Sequence, residues 1–191
     1  MEQNKPEFWQ LYDNQGQALI GQGADKPSIR KGLLHGASHI WIWRQSNNSV
    51  EILLQKRAAN KHTWPNLLDI SAAGHIDLGE IPLDAALRET KEEIGININA
   101  SDLRLINVFR DYITVSADMI ENEFQWIYLY RLADDFKFKI QGSEVDSLIW
   151  IKLSDFQKDV QTKKPDYVPH GDNYFNIVIS AIKAESNALN S

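Results

Sequence analysis

The chain reads as a mixed α/β protein, a mixed β-sheet with helices packed on its faces and an added N-terminal β-hairpin. Three observations point there. β-rich runs recur along the chain, interleaved with two or three amphipathic helices. The 191 residues, 43% hydrophobic and 24% charged, suit one globular unit with a sizeable core. No internal repeat, low-complexity tract or interdomain linker divides them, so residues 1–32 are expected to join residues 33–191 in a single unit.

In chain order, Phe8 to Tyr12 and Ala18 to Ile20 flank Asp13-Asn14-Gln15-Gly16, a turn between two short strands. Ala24 to Arg30 is polar, carries Pro27 and is expected to be a connector. Ser38 to Trp43 and Val50 to Gln55 form a second hairpin around Ser46-Asn47-Asn48. Ala58 to Pro65 is irregular, and Leu67 to Ser71 resumes an extended path. A helix is expected from Pro82, suited to a first helical position, to a stop at Gly95. Leu103 to Val115, Phe124 to Leu132 and the shorter Ser147 to Ile151 read as strands. Ser154-Asp155 is expected to cap a short helix that fades before Pro165. Near Asp172 a last helix starts, with Tyr174, Ile177, Val178, Ala181 and Ile182 as its apolar stripe, and the final residues are expected to fray.

The Pro82 helix carries the chemistry. Leu83, Ala86, Leu87 and Ile94 fall on one side and would be held in a core. On the other side Glu89 and Glu93 (i, i+4) lie one above the other, with Glu92 on their flank. Like charges this close repel unless something cationic sits among them, and a hard divalent cation with oxygen ligands would serve. The competing reading is a solvated acidic face. Such a face would pair its acids with bases, yet only Arg88 and Lys91 offset Glu80, Asp84, Glu89, Glu92 and Glu93.

Composition removes several classes of function. A net charge of -6 and a pI of about 5.3 leave no broad basic surface for a nucleic-acid duplex, while small phosphorylated ligands remain compatible. There is no cysteine, which excludes disulfides, thiolate metal sites and cysteine nucleophiles. MEQNKPEFWQ lacks the regions of a signal peptide, and no run approaches the roughly 18 apolar residues that span a bilayer. A cytoplasmic location without membrane partners is expected.

The spacing of this segment resembles the signature of the Nudix hydrolases: Gly74, five residues, Glu80, seven residues, Arg88-Glu89, then Glu92-Glu93, Gly95 and an aliphatic Ile96. Thr90 stands where that family usually has an aliphatic residue, and its methyl group can still face a core. The resemblance implies an α/β/α sandwich and a Mg²⁺- or Mn²⁺-dependent attack on a diphosphate. It implies Gly74, Glu89, Glu92 and Glu93 as metal-holding residues and Arg88 as the group orienting a neighbouring glutamate. Glu80 would support the helix or the ions through water.

The stretch Leu53 to His75 further resembles the isopentenyl-diphosphate-isomerase-like branch, through Lys56-Arg57, Lys61, Trp64-Pro65 and Gly74-His75. That likeness implies Arg57 and Lys61 as diphosphate-gripping cations, a guanidinium fork and a mobile ammonium. In the isomerases the residues matching His35 and His75 bind metal, with a third histidine that would fall near Ser28 and is missing here. Here His35 and His75 are read as polar structural or substrate-contacting residues. His39 lies four after His35, so the two can share a strand face. The isomerase cysteine is replaced by Ala73, which removes the thiol needed for proton transfer at carbon.

Glu121 and Glu123 alternate onto one face ahead of Phe124 and match an acidic pair of this branch, as a further metal ligand or general base. A charged loop tip is the alternative. Glu144 sits in a polar turn, a weaker candidate. The expected activity is hydrolysis of a diphosphate in a nucleoside diphosphate linked to another moiety, with Glu92, Glu121 or Glu123 taking the proton from water. The alternatives are a non-catalytic nucleotide-binding protein of the same fold and, disfavoured by Ala73, an isoprenoid diphosphate isomerase. Trp41, Trp43, Trp64, Trp126 and Tyr128 are read as core residues rather than a base-stacking platform. The N-terminal hairpin could cap the pocket or make a homodimer contact.

Overall fold

A computed structural model describes residues 7–46, 49–133, 136–140 and 144–189. Asn47 and Asn48, where the turn of the second hairpin is expected, lie outside the described residues.

The N-terminal hairpin pairs β1 (Trp9–Tyr12) antiparallel with β2 (Ala18–Ala24). In its turn Asp13 Oδ1 accepts from the Gln15 and Gln17 amides, and Gly16 takes the positive φ of +80° that the reversal needs. Ala24 to Arg30 is not a plain connector. It contains a short helix, α1 (Lys26–Ile29), whose first turn is closed by Asp25 Oδ1 accepting from the Ser28 amide at 3.1 Å. Pro27 sits inside that first turn, where its missing N–H costs nothing.

The long strand β3 (His35–Ser46) organises the sheet. It meets the hairpin through Leu11 opposite His35. One edge runs parallel to β8 (Met119–Arg131) from His35 to Trp43. Its other edge changes partner part-way, from β6 (Ala72–His75) over Ala37–Ile40 to β4 (Ser49–Arg57) over Ile42–Ser46. Ser71 fills the changeover: its Oγ accepts from the Ile42 amide at 2.8 Å and donates to the Leu53 carbonyl at 2.6 Å. Beyond β4 lie β5 (Leu68–Asp69) and β9 (Val145–Lys152), and beyond β8 lies β7 (Arg104–Ser116).

Strand alternation sorts the core onto two faces. Ile40 and Ile42 pack with Ala72, Ala86, Ile94 and Tyr128 under α2 (Pro82–Ile94). Trp41 and Trp43 pack on the opposite face with Phe156 of α3 (Leu153–Gln161) and with Tyr174, Val178 and Ile182 of α4 (Asp172–Leu189). The result is the expected α/β/α sandwich with a mixed sheet. Helix α2 begins with Pro82 and ends where Gly95 adopts φ +75°, its amide donating to the Lys91 carbonyl. Thr90 is fully buried and its hydroxyl donates to the Ala86 carbonyl at 2.6 Å, so the polar atom is satisfied within the helix. Helix α4 continues to Leu189 rather than fraying early. Among the described residues no helix is long and apolar enough to cross a membrane.

Strand β8 corrects one expectation that matters for the site. It begins at Met119, not at Phe124, because the β7–β8 hairpin pairs back to Ser116 opposite Met119. Glu121-Asn122-Glu123 is therefore held in the sheet and is not a loop tip.

Candidate active site

Three clusters of polar side chains line one cavity of about 600 Å³. The first is the acidic face of α2 against β6. The main chain at Gly74 passes so close to Glu89 that a Cβ there would lie 2.0 Å from the Glu89 carboxyl carbon. Only glycine permits that approach. Glu93 is 4% exposed, and its Oε2 accepts from the Ala73 amide at 3.0 Å. Burial pushes the Glu93 carboxyl up to about 8, and the neighbouring Glu89 and Glu144 add to the effect. Burial likewise pushes Glu89 up to about 7, against the opposing pull of Arg88 and with help from Glu92 and Glu144.

Arg88 ties this cluster together. Its Nε and Nη2 donate to the two oxygens of Glu80 at 3.0 and 2.8 Å, Nη2 also reaches the His75 carbonyl at 3.0 Å, and Nη1 donates to Glu89 at 2.5 Å. One guanidinium thus fixes both the loop after β6 and the Glu89 carboxylate. Glu80 also accepts from the Asp77 amide, so its contacts are to the protein itself. Glu92 stays on the outer flank, half-exposed, 3.6 Å from Arg88.

The second cluster is His35, His75 and Glu123, whose ligating atoms all lie within 4.8 Å of one another. Parallel pairing sets His35 opposite Glu123, and His35 Nε2 lies 3.5 Å from its carboxylate. Burial alone would lower His35, but the Glu123 carboxylate outweighs it and holds the imidazole above its ordinary value. On His75 the same carboxylate is outweighed: burial, with His35 and Lys26 adding to it, takes the ring down to about 3. Trp9 from the N-terminal hairpin stacks on the His75 ring at 3.7 Å between centroids, so the hairpin forms part of the cavity wall. Glu121 also lines the cavity, and its carboxylate has no hydrogen-bond partner among the described residues, whereas the Glu123 carboxylate is held by Gln125 as well as His35.

The third cluster is cationic. Arg57 donates from Nη1 to Asp69 at 2.8 Å, and from Nε and Nη2 to the Thr63 carbonyl at 3.2 and 3.0 Å. Lys61 donates to Glu144 at 2.6 Å, which brings that turn glutamate to the same wall. Apart from Glu80, whose bonds go to Arg88 and the Asp77 amide, the site residues expected from sequence line one space. His39 lies apart from the second cluster's donors: fully buried, it bonds the Tyr174 hydroxyl at 2.8 Å, and burial lowers it to about 4.

Sequence reading missed Trp9, Lys26, Arg30, Asp69, Asp111, Gln125 and His170, which also line the cavity. Nothing local marks them, because distant strands and loops bring them in. Of the five aromatics weighed, Trp41, Trp43 and Tyr128 are buried core, Trp126 packs against core clusters, and Trp64 lines the cavity. Trp64 also holds a φ of +51°, unusual for a bulky side chain.

The NUDIX domain model matches residues 33–171. The chain belongs to the Nudix family of hydrolases. An uncharacterised Nudix hydrolase of Clostridium acetobutylicum is 29% identical over 92% of this chain and 97% of its own. Nudix hydrolase 3 of Arabidopsis thaliana is 32% identical over 79% of this chain, which spans only 20% of that longer protein. An isopentenyl-diphosphate delta-isomerase of Serratia proteamaculans is 33% identical over 77% of each chain. Among solved structures, a Deinococcus radiodurans protein superposes with a TM-score of 0.66 at 16% identity, covering 93% of this chain and 98% of its own. The Nudix domain of Shewanella oneidensis NrtR, solved with ADP-ribose, gives 0.53 at 17% identity, over 71% and 82%. At these identities the structures speak for the fold alone.

Nudix hydrolases use divalent metal ions, and the residues here fit one. Glu89 and Glu93 are two carboxyls buried side by side, pushed up by burial to about 7 and about 8, Glu89 despite the Arg88 guanidinium beside it. A dication among them would offset both shifts by favouring the ionised forms. The His35, His75 and Glu123 donors form a second set of mixed nitrogen and oxygen character.

Proposed function

We propose that this Nudix hydrolase is a Mg²⁺- or Mn²⁺-dependent pyrophosphohydrolase that cleaves the diphosphate of a nucleoside diphosphate linked to another moiety. The observation that carries the reading is that two clusters of different character line one cavity. One is acidic, Glu89 and Glu93 at the glycine of β6, and the other is cationic, Arg57 and Lys61. A substrate with two adjacent phosphates and a small organic moiety matches both the charge pattern and a space of about 600 Å³. The bound ion would neutralise the diphosphate and make an attacking water more acidic.

In this reading Gly74, Glu89, Glu92 and Glu93 hold the ion. Arg88 fixes Glu89 in position through its simultaneous hold on Glu80 and the His75 carbonyl. Arg57 presents a fork whose direction is set by Asp69 and Thr63, and Lys61 supplies a point charge beside it. Of the acids considered for accepting the water proton, Glu121 is favoured over Glu123, because His35 and Gln125 already occupy Glu123. His35 and His75 shape the cavity floor beneath the substrate. Isomerisation of an isoprenoid diphosphate is not part of the proposal: Ala73 stands at the cysteine position, and its amide is engaged with Glu93.

The test is release of phosphorylated products from a panel of nucleotide sugars, ADP-ribose, dinucleoside polyphosphates and nucleoside triphosphates, with and without Mn²⁺. Metal-dependent cleavage at the diphosphate is expected. Silence across the panel together with tight, metal-independent nucleotide binding would instead make the protein a binder.

A further inference from the structure

The cationic wall contains a group that the proposed chemistry has not used. Asp69 is 6% exposed and uses both carboxylate oxygens. Oδ2 accepts from Arg57 Nη1 at 2.8 Å, and Oδ1 pairs with His170 Nε2 at 2.8 Å and accepts from the Ile70 amide. Burial would raise this carboxyl, yet His170 and Arg57 hold it well below the usual carboxylate range. An ionised Asp69 can only accept, so His170 Nε2 must carry the hydrogen. That leaves Nδ1 as the second nitrogen of a ring that lines the cavity, with no hydrogen-bond partner among the described residues.

The ring is held in place, not merely nearby. The segment before it is stitched to β5, with the Leu68 amide donating to the Asp166 carbonyl at 2.8 Å and the Val168 amide to the Leu68 carbonyl at 2.9 Å. Tyr174 stacks on the ring at 4.8 Å, and His39 meets it edge-on at 5.7 Å. Gly171 then turns at φ +87° into α4. A loop histidine so tightly fixed, on the same carboxylate as the phosphate-gripping arginine, is a preorganised pair.

We propose that His170 is a substrate-binding residue that presents Nδ1 to the diphosphate beside Arg57, with Asp69 as the residue positioning both. This rests on the pyrophosphohydrolase reading, because it assigns Arg57 to the substrate. Asp69 would orient the imidazole through Nε2 and the guanidinium through Nη1. Nδ1 can donate to an anion only when it too carries a hydrogen, so His170 binds as the imidazolium, held between the Asp69 carboxylate and the diphosphate. His170 thereby extends the cationic wall from two groups to three.

The geometry allows a decisive pair of variants. In His170→Gln the amide nitrogen occupies the place of Nε2 and keeps the Asp69 bond, but Nδ1 is gone. In His170→Ala both are gone. If Nδ1 binds substrate, both variants raise KM about tenfold, the cost of one hydrogen bond to a charged group, while kcat changes by less than about threefold. If His170 only holds Asp69, Gln behaves as wild type and Ala alone is impaired, and the proposal is overturned. A second readout does not need turnover. In metal-free protein with ¹⁵N-labelled histidine, inorganic pyrophosphate should shift the His170 Nδ1 resonance in wild type, with the shift abolished in Arg57→Ala. A shift without any hydrolysis of the panel would leave this site standing and remove the enzymatic reading. An unmoved Nδ1 resonance at saturating pyrophosphate would overturn the site whatever the activity.

Discussion

Replacing Glu93 by glutamine should make the metal-free protein more stable and the enzyme almost inactive. Burial raises the Glu93 carboxyl from 4.5 to about 8. A raised folded-state value means that the folded protein keeps a proton which the unfolded chain releases above 4.5. Stability on this account is therefore full below 4.5 and is lost as pH rises through about 8. At pH 7.5 the penalty is on the order of 3–4 kcal/mol at 1.36 kcal/mol per unit. At pH 5 it is below about 1 kcal/mol. Glutamine keeps an oxygen to accept from the Ala73 amide and has no charge to desolvate, so Glu93→Gln recovers most of the difference. For a chain of this size that is a rise in Tm of roughly 6–12 °C at pH 7.5. Thermal melts in EDTA at pH 5 and 7.5 measure it directly, and the gain should nearly vanish at pH 5. Turnover of a verified substrate at saturating Mg²⁺ should fall at least about a hundredfold. A Glu93→Gln protein no more stable than wild type at pH 7.5, or one that turns over normally, refutes the reading of this acid as a strained metal-site carboxylate.

Three further outcomes follow from the same geometry. Mn²⁺ should raise the wild-type Tm more at pH 8 than at pH 5.5, because Glu89 and Glu93, raised to about 7 and about 8, must lose protons to bind it; an equal shift at both values would count against these two as ligands. Gly74→Ala places a Cβ 2.0 Å from the Glu89 carboxyl carbon, so it should cost about 1–3 kcal/mol by urea titration and weaken Mn²⁺ binding measured calorimetrically. Arg57→Lys loses the bonds that orient the guanidinium between Asp69 and Thr63 and should raise KM roughly tenfold with the fold intact by circular dichroism.

Much was legible in the chain itself where the controlling interactions are local. The start of α2 at Pro82, its end at Gly95, the stacking of Glu89 on Glu93 and the buried side carrying Ala86 and Ile94 follow from helical period and caps. The same holds for the hairpin turn at Asp13 to Gly16, closed by side-chain bonds two and four residues away. Expectations failed where pairing partners lie far off. The strand expected from Phe124 starts at Met119 instead, because only β7, folding back on Glu121 and Glu123, draws them into the sheet. Ala24 to Arg30 looked like a connector because a single turn of helix leaves little periodicity to read.

Helical spacing alone determined that this chain gathers carboxylates on one face of a short helix. Tertiary structure decided their acidity. Burial against β6, not spacing, raises Glu89 to about 7 and Glu93 to about 8, and only the passage of Gly74 under Glu89 shows why that residue carries no side chain. The cationic wall belongs to tertiary structure still more fully. Arg57, Asp69 and His170 come from β4, β5 and the loop before α4, and no period in the sequence relates residues joined through the two oxygens of one buried carboxylate.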